Sequence, residues 1–126
     1  MTSSENKIHR GAMSFHAGLA AEGCVARDYE RRGFTIADQR WRGKGGEIDL
    51  IVQDGDALIF IEVKQSRSFD RAALSLSEAQ RRRIYNSAAE YLGTQPRGSL
   101  TDVRFDVALV NGQGETQIIE NAFGHG

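Results

Sequence analysis

A chain of 126 residues, 40% hydrophobic and 26% charged, suits one compact domain with a core of its own and leaves little room for a second. Sixteen Lys and Arg against 17 Asp and Glu give a formal charge of −1, so a polyanion would have to be met by local basic patches rather than by the overall field. Apolar runs such as Ala57 to Ile61 are too short to span a membrane, the opening residues lack an apolar signal segment, and the single cysteine, Cys24, cannot form an internal disulfide, so a cytoplasmic protein with no membrane partner is expected.

Residues 1–14 are polar and aperiodic and read as a mobile arm, residues 124–126 as a tail, and residues 15–123 as the single domain. The first helix is expected from Gly18 to Arg32, with Leu19, Ala26 and Tyr29 at helical spacing and Gly33 placed to end it. Phe34 to Arg40 reads as a strand with Phe34, Ile36 and Ala37 pointing inward, and Trp41 to Gly46, rich in glycine and cations, as a loop or bulge. Glu47 to Val52 and Leu58 to Lys64 are strand-like, and the Asp54-Gly55 dipeptide between them is a hairpin signal. Ser66 to Ser75 is a polar loop. Ser77 to Leu92 follows as the second helix, with Ile84, Ala88 and Tyr91 or Leu92 on its stripe. Ser77 with Gln80, or Ser75 with Glu78, would form its capping box. After a loop from Gly93 to Leu100, Val103 to Val110 reads as a strand and Thr116 to Ile119 as a short edge strand. A hairpin followed by a helical crossover implies an α/β fold with a mixed sheet flanked by helices.

The chemistry concentrates on the hairpin. With Asp54-Gly55 as a two-residue turn, Asp49 pairs with Phe60 and Glu47 with Glu62, and alternation puts Glu47, Asp49, Ile51, Leu58, Phe60, Glu62 and Lys64 on one face. Ile48, Leu50, Val52, Ile59, Ile61 and Val63 fill the other. Asp49 and Glu62 become diagonal neighbours, about 5–8 Å apart, a gap that one divalent ion with oxygen ligands at about 2.0–2.5 Å bridges. Like charges across a strand pair repel, so either Lys64 and nearby arginines neutralise these acids or a Mg²⁺ or Mn²⁺ ion does. Glu22 adds a fourth acid on the apolar stripe of the first helix, where a carboxylate needs a cation or hydrogen-bond donors. Such a site suits phosphodiester hydrolysis, with Lys64 beside the attacking water or the developing charge.

Other residues carry less. Basic patches at Arg40, Arg42 and Lys44 and at Arg81-Arg82-Arg83 fit phosphate contact or a solvated surface. His9, His16 and His125 lack metal-ligand spacing, and Cys24 has no evident base beside it and reads as a packed thiol. Trp41 reads as a core or edge aromatic rather than a base-stacking one. Asp106 reads as a salt-bridge partner for Arg104 at least as well as an active-face acid.

Gly-Leu-Ala-Ala-Glu at 18–22, Trp41-Arg42, Gly46-Glu47-Ile48-Asp49-Leu50-Ile51, Glu62-Val63-Lys64 and Arg104-Phe105-Asp106-Val107 together resemble the YraN-like family of small bacterial proteins, over about residues 16–123. That family is similar to the restriction-endonuclease-like, PD-(D/E)xK nucleases, especially archaeal Holliday junction resolvases. The resemblance implies an α-β-β-β-α-β core, Asp49 and Glu62 as metal ligands, Lys64 as catalytic lysine, and Glu22 completing or supporting the site. Ile48 stands where the superfamily has proline, as is normal for the YraN-like group. Gln80 stands where the family usually has lysine, with Arg81 as a substitute, and Gln65-Ser66-Arg67 where it often reads Thr-Arg, which leaves Arg67 to reach a phosphate. The expected function is a Mg²⁺- or Mn²⁺-dependent endonuclease acting on DNA, branched or otherwise structured, and a resolvase-like role would favour a symmetric homodimer. Arg40, Arg42, Lys44, Arg67, Gln80 and Arg81 are the expected nucleic-acid contacts. A non-catalytic nucleic-acid-binding module is the alternative. A protein-interaction domain, the third reading, has no sequence feature in its favour.

Overall fold

The computed structural model describes residues 20–67, 69 and 76–122. The expected arm and tail, Gly18, Leu19, the three histidines and Ser75 lie outside the described residues. A helix, α1, covers residues 20–31. It is followed by β1 (Thr35–Arg42), β2 (Glu47–Asp54), β3 (Ala57–Gln65), α2 (Glu78–Leu92), β4 (Val103–Val110) and β5 (Thr116–Ile119). A single 3₁₀ turn, Gly98–Leu100, interrupts the loop before β4. This is the expected α-β-β-β-α-β order, closed by a short fifth strand.

Local chemistry explains the boundaries. α1 stops at Gly33, whose φ of +97° suits glycine. The Gly33 amide donates to Glu30 O at 3.0 Å and the Phe34 amide to Tyr29 O at 3.1 Å, the paired bonds of a Schellman end. α2 starts from the Ser77 cap: the Gln80 amide donates to Ser77 Oγ, and the Ser77 amide donates to Gln80 Oε1. The first strand runs two residues beyond the expected Arg40, because Trp41 pairs with Ile48 and Arg42 with Glu47. A register shift between Ile36 and Asp38 leaves Ala37 exposed instead of inward.

The hairpin turn also differs from expectation. Its loop is Gly55-Asp56, closed by Asp54 opposite Ala57. Only Gly55 has positive φ, +61°, the pattern of a turn with glycine at its first central position. Ile51 therefore faces Phe60, not Leu58. The slide is two residues in the pairing, so each side chain of β3 keeps its face.

The sheet order is β1-β2-β3-β4-β5, with β3 and β4 parallel and the other neighbours antiparallel. α1 covers one face: Ala21, Val25, Ala26 and Tyr29 pack on Leu50, Val52, Ile59, Ile61, Ala108 and Val110. α2 covers the other: Ile84, Ala88 and Tyr91 pack on Ile51, Leu58, Phe60 and Phe105. Trp41 belongs to this second layer, edge-on to Tyr91 at 5.4 Å between ring centres. Each fully buried large side chain contributes about 1.5–3 kcal/mol.

Among these apolar layers, Asp106 on β4 is fully buried. Arg104 donates from Nε and Nη2 to its two oxygens at 2.9 Å each, Tyr29 Oη donates at 2.7 Å, and the Asn121 amide donates at 2.9 Å. This is the salt bridge expected for Asp106. It ties α1 to β4 and to the turn after β5, and loss of hydration, with the same carboxylate beside it, holds the Tyr29 hydroxyl protonated far above its usual range. Asp106→Ala strands a guanidinium and a phenol, and is expected to cost about 3–5 kcal/mol in urea unfolding. Tyr29→Phe removes one charge-assisted bond and should cost about 1.5–3 kcal/mol.

Candidate active site where two strands part

Regular alternation along β2 would put Ile48 with Leu50. Ile48 instead packs with Ile51 and Phe60 under α2, while Leu50 and Val52 pack under α1. The break falls at Asp49. The pairing of β2 with β3 runs from Asp54 and Ala57 to Leu50 and Ile61. Beyond it, β2 stays paired to β1 as far as Glu47, and β3 to β4 as far as Gln65. One step past the last β2–β3 pair, Asp49 stands level with Glu62, and its Oδ2 accepts the Val63 amide at 2.8 Å. A side chain thus satisfies a donor that the ladder no longer serves.

Four acids gather around this point. Asp49 and Glu62 come from β2 and β3, Glu47 from the start of β2, and Glu22 from α1. Loss of hydration and then repulsion from Asp49 push the Glu62 carboxyl up to about 7, against the pull of Arg83 and Lys64. Burial raises Asp49 as well, opposed by the Val63 amide. Glu22 is raised by burial and then by Asp49, with Arg40 pulling the other way.

Arginines offset part of this charge. Arg40 adopts a φ of +51°, which costs a non-glycine residue about 1–3 kcal/mol. Its Nε lies 3.4 Å from Glu22 Oε2 and 3.7 Å from Glu47 Oε1. Arg42 Nη2 is 3.2 Å from Glu47 Oε2, and Arg83 Nη2 is 3.9 Å from Glu62 Oε1. Lys64 is half-buried two residues beyond Glu62 on β3, and its charge lowers the Glu62 pKa.

The glycine-rich loop between β1 and β2 forms the outer wall. The Gly43 amide donates to Gly46 O at 2.9 Å, and the Lys44 amide to both carboxylate oxygens of Glu90 at 2.9 and 3.1 Å. Gly46, at φ +153°, presses on α2 so closely that a Cβ would lie 2.6 Å from Arg83 Cγ. Only glycine fits there. Loop residues 43–46, Arg42, Glu47, Asp49, Glu62 and Arg83 enclose a cleft of about 540 Å³.

The expected site residues divide accordingly. Asp49, Glu62, Arg42 and Lys44 line the cleft, Lys64 adjoins it, and Glu22 joins through Arg40, whose guanidinium is turned to acids. Arg67 stands apart, beside a second cleft with Gln65, Ser66 and Asn111. The Gln80 amide is engaged in the capping box, and Arg81 is exposed outside the wall of the larger cleft. Arg83 was legible only as one of the Arg81-Arg82-Arg83 patch, and Glu90 only as a charge on a helix. The four-residue step from Arg83 to the fully buried Ser87 is the helical signal that marks Arg83 as near the sheet.

Among the described residues, no three His, Cys, Asp or Glu side chains gather closely enough to hold a metal ion by themselves. Two under-compensated carboxylates nonetheless suit Mg²⁺ or Mn²⁺, which commonly use one or two protein carboxylates and complete their shells with water and phosphate oxygens.

Between pH 4.5 and 7 the folded chain keeps a Glu62 proton that the unfolded chain has released, so stability falls as pH rises through that window and levels above it. Without divalent ions, the thermal midpoint of Glu62→Gln relative to wild type should therefore rise by about 3–8 °C between pH 5 and pH 8. A pH-independent difference would show that Glu62 ionises normally in the fold.

The family profile of uncharacterised protein family UPF0102 matches residues 21–110, which include Glu22, Asp49, Glu62, Lys64 and the whole of α2. A UPF0102 protein of Ruegeria pomeroyi is 57% identical over 117 residues, covering 93% of this chain and 95% of its own. Another, of Roseobacter denitrificans, is 48% identical over the full 126 residues and 98% of its own length. A third, of Dinoroseobacter shibae, is 47% identical over 112 residues, covering 89% of this chain and 84% of its own. The chain belongs to the uncharacterised protein family UPF0102, the YraN-like family that its motif blocks resemble.

Proposed function

We propose that this protein is a Mg²⁺- or Mn²⁺-dependent endonuclease that hydrolyses phosphodiester bonds in DNA, with branched or structured DNA as the substrate class. The observation that carries the reading is the meeting of Asp49 and Glu62 where β2 and β3 part, with Lys64 on the same strand as Glu62. Lost hydration, and then repulsion from neighbouring acids, makes this pair costly to ionise without a cation.

Asp49 and Glu62 would hold the ion, and Glu22 would deepen the negative potential from the helix side. Bound there, the ion would withdraw charge from a phosphate oxygen and make an attacking water more acidic. The Val63 amide fixes one oxygen of Asp49 and so sets the direction of the other. Lys64 supplies an ammonium for the negative charge that develops as water adds to phosphorus and the P–O bond breaks. Arg42 and Lys44, on the cleft wall, would hold the neighbouring backbone phosphates. The hydrolysis gives a phosphomonoester and an alcohol, and needs no other reactant than water.

The second reading, a nucleic-acid-binding module without catalysis, is favoured by one observation. Arginines already face the acids: Arg40 faces Glu22 and Glu47, and Arg83 faces Glu62. In that reading these ion pairs are the end state of the site.

The test is incubation of linear, flap and four-way DNA with Mn²⁺. Wild type is expected to cut at least one substrate, EDTA to stop it, and Asp49→Ala, Glu62→Ala and Lys64→Ala each to lower the rate at least about 100-fold with the fold intact. Equal behaviour of wild type and Asp49→Ala would move the assignment to the binding module.

A further inference from the structure

The Arg81-Arg82-Arg83 run reads in the sequence as either a phosphate-contact patch or a solvated surface, and of the three only Arg83 stands in the cleft wall. We propose that Arg83 is a phosphate-positioning residue, its guanidinium held across Gly46 to take a non-bridging oxygen of the DNA phosphate nearest Asp49 and Glu62. The identity of the polyanion rests on the nuclease reading above. The contact itself does not.

The argument starts from the stem. Arg83 Cγ and Cδ lie where a Cβ on Gly46 would come within 2.6 and 2.9 Å, so the absence of a side chain at Gly46 gives the stem its channel. That loop is not free to drift, because Glu90 accepts the Lys44 amide with both oxygens and Gly43 closes on Gly46. Beneath it, Ser87 is fully buried one turn farther along the same helix face. Both the base of the arginine and the surface that it crosses are therefore set by packing before a ligand arrives.

The head group is differently placed. The Arg83 side chain as a whole is 44% exposed, and the guanidinium's contact with Glu62 is 3.9 Å, well beyond the roughly 2.7–2.9 Å of a charge-assisted hydrogen bond. Arg42 lies closer to its own acid, at 3.2 Å, and Arg40 meets two acids. Arg83 thus offers a planar fork of donors facing the cleft without a close bidentate carboxylate partner among the described residues, the geometry that suits phosphate better than an ammonium does. Across the cleft wall, Arg42, Lys44 and Arg83 oppose Glu47, Asp49 and Glu62, three charges against three. A cation taken up by the acids would leave Arg83 the more attractive to a phosphate.

The experiment measures binding separately from cleavage. Affinity for a fluorescein-labelled four-way DNA junction is read by anisotropy in EDTA and in Ca²⁺, across a salt series, for full-length wild type, Arg83→Ala, Arg83→Gln, Arg83→Lys and Arg97→Ala. Arg97 lies in the loop after α2, outside the cleft wall. Arg83→Ala and Arg83→Gln should weaken binding about 10-fold and flatten the salt slope by about one. Arg83→Lys should regain part of the affinity, and Arg97→Ala should match wild type. Arg83→Gln keeps a stem over Gly46, so it carries the test should Arg83→Ala melt early. Where wild type cuts DNA, Arg83→Gln should raise KM more than it lowers kcat.

Unchanged affinity and slope in both folded variants would overturn the proposal, as would a wild type that binds no junction. A slope change in Arg83→Gln without any cleavage by wild type would keep the phosphate contact and remove the nuclease reading. Cleavage that needs Asp49 but is indifferent to Arg83 would do the reverse.

Discussion

The bond from the Val63 amide to the Asp49 carboxylate is the hinge on which the site turns. Two strands paired from Asp54 and Ala57 to Leu50 and Ile61 cease to pair within one residue, and each then follows its other neighbour. Without a substitute partner, the Val63 amide would lose its hydrogen bond at a partly buried position, a loss of about 1–3 kcal/mol. Asp49 supplies that partner. In doing so it brings a charge into the wedge between the strands and level with Glu62, where neither is well hydrated.

The remainder of the site follows from containing that charge. Arg40 bends into a left-handed conformation on the edge strand, and its guanidinium meets Glu22 and Glu47. α2 contributes Arg83 at a longer distance from Glu62. Part of the cost persists, since burial and then repulsion from Asp49 keep Glu62 raised to about 7 despite both Arg83 and Lys64. Sites that retain such strain are frequently functional, because a fold with no use for buried like charges gains by replacing them. The fully buried acid makes the contrast: Asp106 meets Arg104, Tyr29 and the Asn121 amide at hydrogen-bond distances, and its role is to join elements.

Glycines decide how closely the outer wall approaches. At Gly43 a Cβ would overlap the Glu90 carboxylate, and at Gly46 it would overlap the Arg83 stem. The loop is therefore seated on α2 rather than extended into solvent, and the cleft has two rigid sides. One is the end of β2 and β3; the other is helix and glycine backbone.

The residue pattern alone carried the element order, the chemical types at the site and the faces of β3. Those follow from local rules: period-two apolar runs, the Ser77–Gln80 box, a glycine at the end of α1, and Glu-Val-Lys spacing that keeps Glu62 and Lys64 on one side of a strand. It also resembled a family whose motif blocks fall on Glu22, Asp49, Glu62 and Lys64. The turn at Gly55-Asp56, the switch of Ile48 to the α2 layer and the entry of Arg83 into the cleft came instead from contacts between distant segments. An Asp-Gly-Asp run admits two loop positions, and in the fold Asp54 closes on Ala57 and Ile51 pairs with Phe60. A strand that loses one of its two partners breaks its own alternation, and no residue pattern within β2 records where its neighbour leaves. A helix arginine likewise becomes part of a site only when a glycine from elsewhere in the chain gives way beneath it.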